Sequence, residues 1–138
     1  MVLIGDYRGQ CPQPPKNLHF LGLKPQASLP AYLAHADVAL IPWRVGPITQ
    51  ATDPIKVYEY LAMQLPVLAP RLEPLITIPG VVIAKDSEDF IQLAGSLSKE
   101  TFDRKSAADF VSRNTWQERV RVLLEALEKI PPGKHGRR

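Results

Sequence analysis

Lys56 and Glu59 stand three residues apart in the run Asp53-Pro-Ile-Lys-Val-Tyr-Glu-Tyr-Leu-Ala62. On a helix they share a face, about 4.5 Å apart along the axis at about 1.5 Å rise per residue. A cation so placed can meet a phosphate while the carboxylate one turn on meets the hydroxyls of a ribose, which is the layout of a nucleotide-diphosphate site. The same pair also reads as a solvated ion pair worth roughly 0.2–0.5 kcal/mol, so the elements around it decide between the two.

Those elements favour a site. Asp53 is a good N-cap, and Pro54 suits the first helical position, where its missing N–H has no partner to lose. Tyr58, Leu61, Ala62 and Leu65 give the predicted helix an apolar stripe. Pro66-Val-Leu-Ala69 then reads as a strand buried on both faces. Upstream, the strand Val38–Ile41 ends at Pro42, and an irregular loop from Trp43 to Thr52 delivers the chain to the helix N-terminus, where N–H groups and the helix dipole favour an anion. The candidate binding set is Lys56 for the diphosphate, Glu59 for the ribose, and the backbone from Ile48 and Thr49 through Asp53 to Pro54 for phosphate or sugar oxygens. Arg44 is a second cation on the loop and reads as a solvated surface residue.

Alternating elements surround this core. Strands are expected at Val2–Ile4, Leu18–Leu21, Val38–Ile41, Pro66–Ala69 and Val81–Ala84. The loop from Asp6 to Lys16 carries the breakers Gly9, Pro12, Pro14 and Pro15. Ser28 can cap a helix with Pro30 in its first turn and Leu29, Tyr32, Leu33 and Ala36 facing the sheet. Arg71 to Pro79 is proline-interrupted, a short helix at most. Helices follow from about Glu88 to Leu97 after Ser87, from about Phe102 to Ser112, and from Trp116 to Ile130. The last opens on a capping box, Thr115-Trp-Gln-Glu118, and carries Trp116, Val120, Leu123, Leu124, Leu127 and Ile130 at helical spacing, read as a packing stripe. Strands alternating with helices imply an α/β, Rossmann-like and mostly parallel sheet.

Composition excludes several classes. The chain has 138 residues, 45% hydrophobic and 22% charged, with a net charge of +3; that is one domain's worth, neither disordered nor fibrous. Residues 1–130 read as the domain. Residues 131–138 read as a basic tail holding Lys134, His135, Arg137 and Arg138, a frayed end with weak affinity for anions. No basic stripe with interleaved aromatics indicates a nucleic-acid groove. The single Cys11 allows no internal disulfide and fits a reducing compartment. Apolar runs fall short of the roughly 18 residues that span a bilayer, which points to a soluble, cytoplasmic chain with at most peripheral contact at the inner face of a membrane. His19, His35 and His135 lack metal-ligand spacing, and His19 and His35 read as partly buried. No nucleophile elbow, Walker loop or dinucleotide fingerprint is present, and Asp37 precedes its strand, where a phospho-receiver would need an acid at the strand's end.

The order of these pieces carries a resemblance. Val2-Leu-Ile-Gly5, Asn17-Leu-His-Phe-Leu-Gly22, Leu29 to Pro42, Pro54-Ile-Lys-Val-Tyr-Glu-Tyr-Leu-Ala62, Pro66-Val-Leu-Ala69 and Asn114-Thr-Trp116 together resemble the C-terminal, nucleotide-sugar-binding half of a retaining group 1 glycosyltransferase of the GT-B fold, from Val2 to about Ile130. The resemblance implies a nucleotide-diphosphate sugar as donor, no divalent metal, and Gly22 and Leu23 near the base. It also implies that the central first strand and an N-terminal acceptor-binding domain are missing, so that the chain is a fragment, not active alone and prone to self-association, with its last helix reaching toward the missing domain. The alternative is a non-catalytic nucleotide-binding or partner-docking remnant. Two positions depart from the pattern. Glu59 fits the second of two glutamates eight residues apart but Ala51 stands for the first, which leaves Pro54, Lys56 and Glu59 resembling a Pro-x-Lys-x-x-Glu subset. Leu65 stands where the family usually has glycine before the Pro-Val strand.

Overall fold

The computed structural model describes residues 1–6 and 14–130. Cys11, the breakers Gly9 and Pro12, and the basic tail at 131–138 lie outside them. The chain divides into two compact units, Met1–Ala36 and Asp37–Arg138, each described by itself.

In the first unit β1 (Val2–Leu3) pairs in parallel with β2 (His19–Phe20), Val2 opposite His19 and Leu3 opposite Phe20. The ladder runs on past the strands through Leu21 N–H to the Leu3 carbonyl and Gly5 N–H to the Gly22 carbonyl, both at 3.0 Å. A 3-10 turn, Gln26–Ser28, leads into α1 (Leu29–Leu33). Ser28 does stand at the N-cap, but its backbone is already helical and its hydroxyl donates back to the Pro25 carbonyl at 2.7 Å, so it caps nothing ahead of it. Leu29, Leu33 and Ala36 are half-buried as the spacing predicts, whereas Tyr32 is exposed, and so are His19 and His35, which were expected partly buried.

The second unit holds the core. β3 (Ala39–Leu40), β4 (Val67–Pro70) and β5 (Val81–Ala84) form a parallel sheet in the order β3-β4-β5, with Ala39 opposite Val67 and Val67 opposite Val81. β4 is the middle strand, and Val67, Leu68 and Ala69 are fully buried, as a strand covered on both faces requires. Helices flank the parallel strands, a Rossmann-like α/β arrangement. α3 (Ile55–Ala62) packs on β4 and on α5 (Arg104–Ser112), and α4 (Ser87–Ser96) packs on β4 and β5. Between β4 and β5 a 3-10 turn, Glu73–Leu75, buries Leu72, Leu75 and Ile78, spaced by three as its geometry demands.

Several boundaries differ from expectation for local reasons. The helix at 87–96 is capped by Asp86, whose extended backbone lets its carboxylate accept from Asp89 N–H at 2.9 Å; Ser87 is already helical. α5 starts at Arg104 behind Asp103, which accepts from the Ser106 N–H and hydroxyl at 3.1 and 2.6 Å. Those bonds hold the Asp103 carboxyl below its usual range. α6 (Trp116–Glu128) begins as predicted, with Thr115 Oγ1 accepting from Glu118 N–H at 3.2 Å. Glu118 does not complete the capping box: its carboxylate accepts instead from Arg121 Nε at 2.9 Å. The predicted packing stripe is not covered in this structure, for Trp116 is 71% exposed and α6 contributes no buried residue. Among the described residues no helix is long and apolar enough to cross a membrane.

Candidate functional site

β3 ends at Leu40, and the chain after it builds the predicted site. The segment from Trp43 to Thr52 is not wholly irregular: Pro47–Gln50 closes one helical turn, α2. Thr49 makes that turn self-supporting. Its hydroxyl accepts from Gly46 N–H at 2.9 Å and lies 2.8 Å from the Arg44 carbonyl, so the hydroxyl serves the turn itself. Thr52 does the same toward the Ile48 carbonyl at 2.6 Å. Ile48 points its side chain outward and is 82% exposed. Arg44 is exposed, as its solvated reading requires.

α3 begins at Ile55, one residue later than expected, with buried Pro54 at the N-cap in extended conformation. Asp53 does not cap. Its carboxylate accepts from the Tyr58 hydroxyl at 3.1 and 3.2 Å and from Arg119 Nη2 at 3.3 Å, partners that a local reading cannot see. The docked stripe is Pro54, Val57, Leu61 and Leu65 rather than the predicted Tyr58, Leu61, Ala62 and Leu65. Val57 and Leu61 are both fully buried, worth roughly 1.5–3 kcal/mol each. Tyr58 lies half-buried at the edge, stacked on Phe110 with ring centroids 5.7 Å apart, and Ala62 faces solvent.

With Val57 and Leu61 turned inward, Lys56 and Glu59 fall on the exposed flank. Lys56 is exposed and Glu59 half-buried. The ion pairs among the described residues join Arg71 to Glu73, Arg119 to Asp53, and Arg121 to Glu118 and Glu125. Lys56 and Glu59 enter none of them, so the pair does not exist as a closed surface salt bridge. Glu59 makes itself felt on its neighbour: burial first, and the Glu59 charge second, push the Tyr60 phenol above its ordinary value.

The charge pattern at the start of α3 follows. Asp53 alone would oppose an anion at this helix end, but Arg119 answers its charge and Tyr58 ties down its oxygens. Lys56, in the first turn, enters no ion pair among the described residues and stands at the positive end of the helix dipole.

One residue of the segment was not singled out in the sequence. Gln50, at the end of α2, bonds through its side-chain amide to the loop that leaves β4. No motif marks it, because a lone glutamine in a loop has no spacing signal.

The glycine expected at the turn before β4 is replaced differently than the substitution at Leu65 suggests. Gln64 carries the left-handed conformation, φ 55°, while Leu65 is fully buried. Gln64 N–H bonds to the Leu61 carbonyl at 2.9 Å and Leu65 N–H to the Tyr60 carbonyl at 3.0 Å, a Schellman ending for α3.

The remaining expected site residues, Gly22 and Leu23, belong to the first unit. Gly22 is in the left-handed region at φ 68°, the conformation of a strand-ending turn, and Leu23 is 76% exposed. Compared with known families, residues 1–100 match the model of the group 1 glycosyl transferases. No curated protein and no solved structure matches the chain.

Proposed function

Because the chain belongs to the group 1 glycosyl transferases, we propose that residues 1–130 are the donor-binding half of such an enzyme, with the diphosphate of a nucleotide sugar held at the start of α3. The observation that carries this reading is the division of charge there. Asp53 is paired with Arg119, whereas Lys56 and Glu59, 60° apart around the helix by its geometry, have no ionic partner among the described residues. Lys56 takes the diphosphate, Glu59 the ribose hydroxyls, and the backbone between Ile48 and Pro54 the phosphate or sugar oxygens. As the glycosidic bond to the leaving diphosphate breaks, the growing negative charge is stabilised by Lys56 and the N-terminus of α3, with no metal in the scheme. Sugar transfer itself requires an acceptor-binding half.

A partner-docking role without catalysis is favoured by one observation, the uncovered apolar stripe of α6. Transfer of sugar from a nucleotide sugar when an acceptor-binding half is supplied separates the two readings.

Titration calorimetry tests the donor site directly. Glu59→Ala should weaken uridine or guanosine diphosphate by about tenfold or more, since hydrogen bonds to a charged group contribute about 1.5–3 kcal/mol. It should leave inorganic pyrophosphate nearly unchanged, while Lys56→Ala weakens both. Equal losses of nucleotide and pyrophosphate on Glu59→Ala would remove the ribose assignment.

A further inference from the structure

We propose that Gln50 is a positioning residue of the donor site: its side-chain amide holds the turn before α3 against the loop after β4 and so sets where Lys56 meets a diphosphate. The inference rests on the donor-site reading of α3. Gln50 Nε2 donates to the Arg71 carbonyl at 3.0 Å, and Gln50 Oε1 accepts from Glu73 N–H at 2.8 Å. Both poles of one amide are thus engaged on a single loop, 21 and 23 residues further along the chain. Such a contact fixes direction as well as distance, which no aliphatic side chain can do.

Topology makes the clamp relevant to a ligand. β3 and β4 are parallel neighbours, so the chain leaving β3 and the chain leaving β4 emerge at the same end of the sheet. Ligands of open parallel sheets sit outside these carboxyl ends. Thr49 and Thr52 close only their own turn, onto Arg44, Gly46 and Ile48. Gln50 alone in α2 carries a side-chain bond to the neighbouring exit loop. Without it the turn still forms, but it is free to shift against β4, and a bound diphosphate must then restrict that freedom itself.

Gln50→Met keeps the length of the side chain and removes both hydrogen bonds. The full chain is titrated with inorganic pyrophosphate and with uridine diphosphate at 10 °C, with circular dichroism showing that wild type and variant are both folded, and exchange of the Glu73 amide is followed. The clamp predicts faster exchange at Glu73 and about a tenfold loss of affinity for both ligands. Their ratio stays unchanged, unlike the ratio in Glu59→Ala. If Gln50→Met binds both ligands as wild type does while Lys56→Ala loses them, the inference on Gln50 is wrong and the donor site stands. A loss seen only near the melting temperature and absent at 10 °C also overturns it, since that marks a purely structural role. If the wild-type chain binds neither ligand, the donor site falls and Gln50 with it.

Discussion

Arg119 on α6 reaches back 66 residues to Asp53 at the threshold of α3, Nη2 to Oδ2 at 3.3 Å, while its guanidinium lies 4.9 Å from the centroid of the Tyr58 ring and 6.0 Å from that of Trp116. A cation held between two aromatic faces and a carboxylate ties the last helix to the candidate site. The side chains of Arg119 and Asp53 are 43% and 44% exposed, so solvent weakens the ion pair itself.

A double-mutant cycle on Arg119→Ala and Asp53→Ala should give a coupling of about 0.5 kcal/mol in low salt, shrinking toward zero in high salt. Arg119→Ala alone should cost about 1 kcal/mol, because the contacts with Tyr58 and Trp116 are lost too. It also leaves Asp53 uncompensated near Lys56, so nucleotide diphosphate should bind about threefold more weakly. Denaturant melts and calorimetry of the same proteins check all three. A coupling that persists at high salt would contradict the exposed geometry.

Tyr58 should ionise late. Burial is the main cause that raises its phenol above the ordinary 10.0, followed by the charge and hydrogen bond of Asp53, while Arg119 pulls the other way. A raised value in the folded state means that the neutral phenol is preferred there. The stabilisation is complete below pH 10.0 and is lost as pH climbs through the higher folded value. Tyrosinate absorbance of the wild type minus that of Tyr58→Phe should show a midpoint above pH 10.0, moved down by Asp53→Asn. A wild-type midpoint at or below pH 10.0 would contradict the burial of the phenol, and a midpoint unmoved by Asp53→Asn would show that Asp53 does not face the hydroxyl.

Gln64→Gly should stabilise the protein. Gln64 is exposed and holds φ 55° at the end of α3, a conformation that disfavours every residue with a Cβ. Glycine removes about 1–2 kcal/mol of strain and gives back part of it through a freer unfolded chain, for a net gain of about 0.5–1 kcal/mol. A higher midpoint in urea with an unchanged slope is the expected reading.

Gly80→Ala should do the opposite. Gly80 sits at φ 85° just before β5, and a Cβ there would lie 2.6 Å from Phe102 Cε2 and 2.8 Å from Leu61 Cδ2. Strain and overpacking together should cost about 2–4 kcal/mol. The displaced Leu61 belongs to α3, so nucleotide affinity should fall along with the thermal midpoint. Wild-type stability in this variant would mean that Phe102 is not packed as described.

Much of the fold was legible because the core is written in short apolar runs. Pro66 to Ala69 reads as a buried strand and is observed one residue on, at Val67–Pro70, Val81 to Ala84 reads as a strand and is one, and Thr115, marked by the Thr-x-x-Glu pattern, does cap α6 through its bond from Glu118 N–H. Where two good cappers adjoin, as in Asp86-Ser87, residue type cannot decide, since the choice depends on which backbone is extended. Asp53 misled for a different reason: a residue 66 positions away claims its carboxylate. Val57 was overlooked because the docked face is centred on Val57 and Leu61, one residue round from the face through Tyr58, which stacks at the edge on Phe110. The stripe on α6 reads as a packing face but is exposed in the structure, because the pattern of a helix face does not tell what covers it. Lys56 and Glu59 are singled out by their spacing, and the structure places them on the outer flank of α3, while the contact of Gln50 with Arg71 and Glu73 lies in no local window.

β4 lies between β3 and β5, and both of its ladders are parallel. Neither pairing can therefore begin as a hairpin. Ala39 meets Val67 only after α2 and α3 have been spanned, and Val67 meets Val81 only after the 3-10 turn has closed. A chain emerging from the ribosome can form α3 early, yet its buried face stays without a floor until β4 and then β5 are released. Loop closure before any ladder is formed makes this a slow, non-local nucleus. The interval in which Val57, Leu61 and Leu68 stand uncovered is when nascent chains stick to one another. A pause in translation that holds β5 inside the ribosome should thus cost more soluble protein than one that comes after β5 has been released.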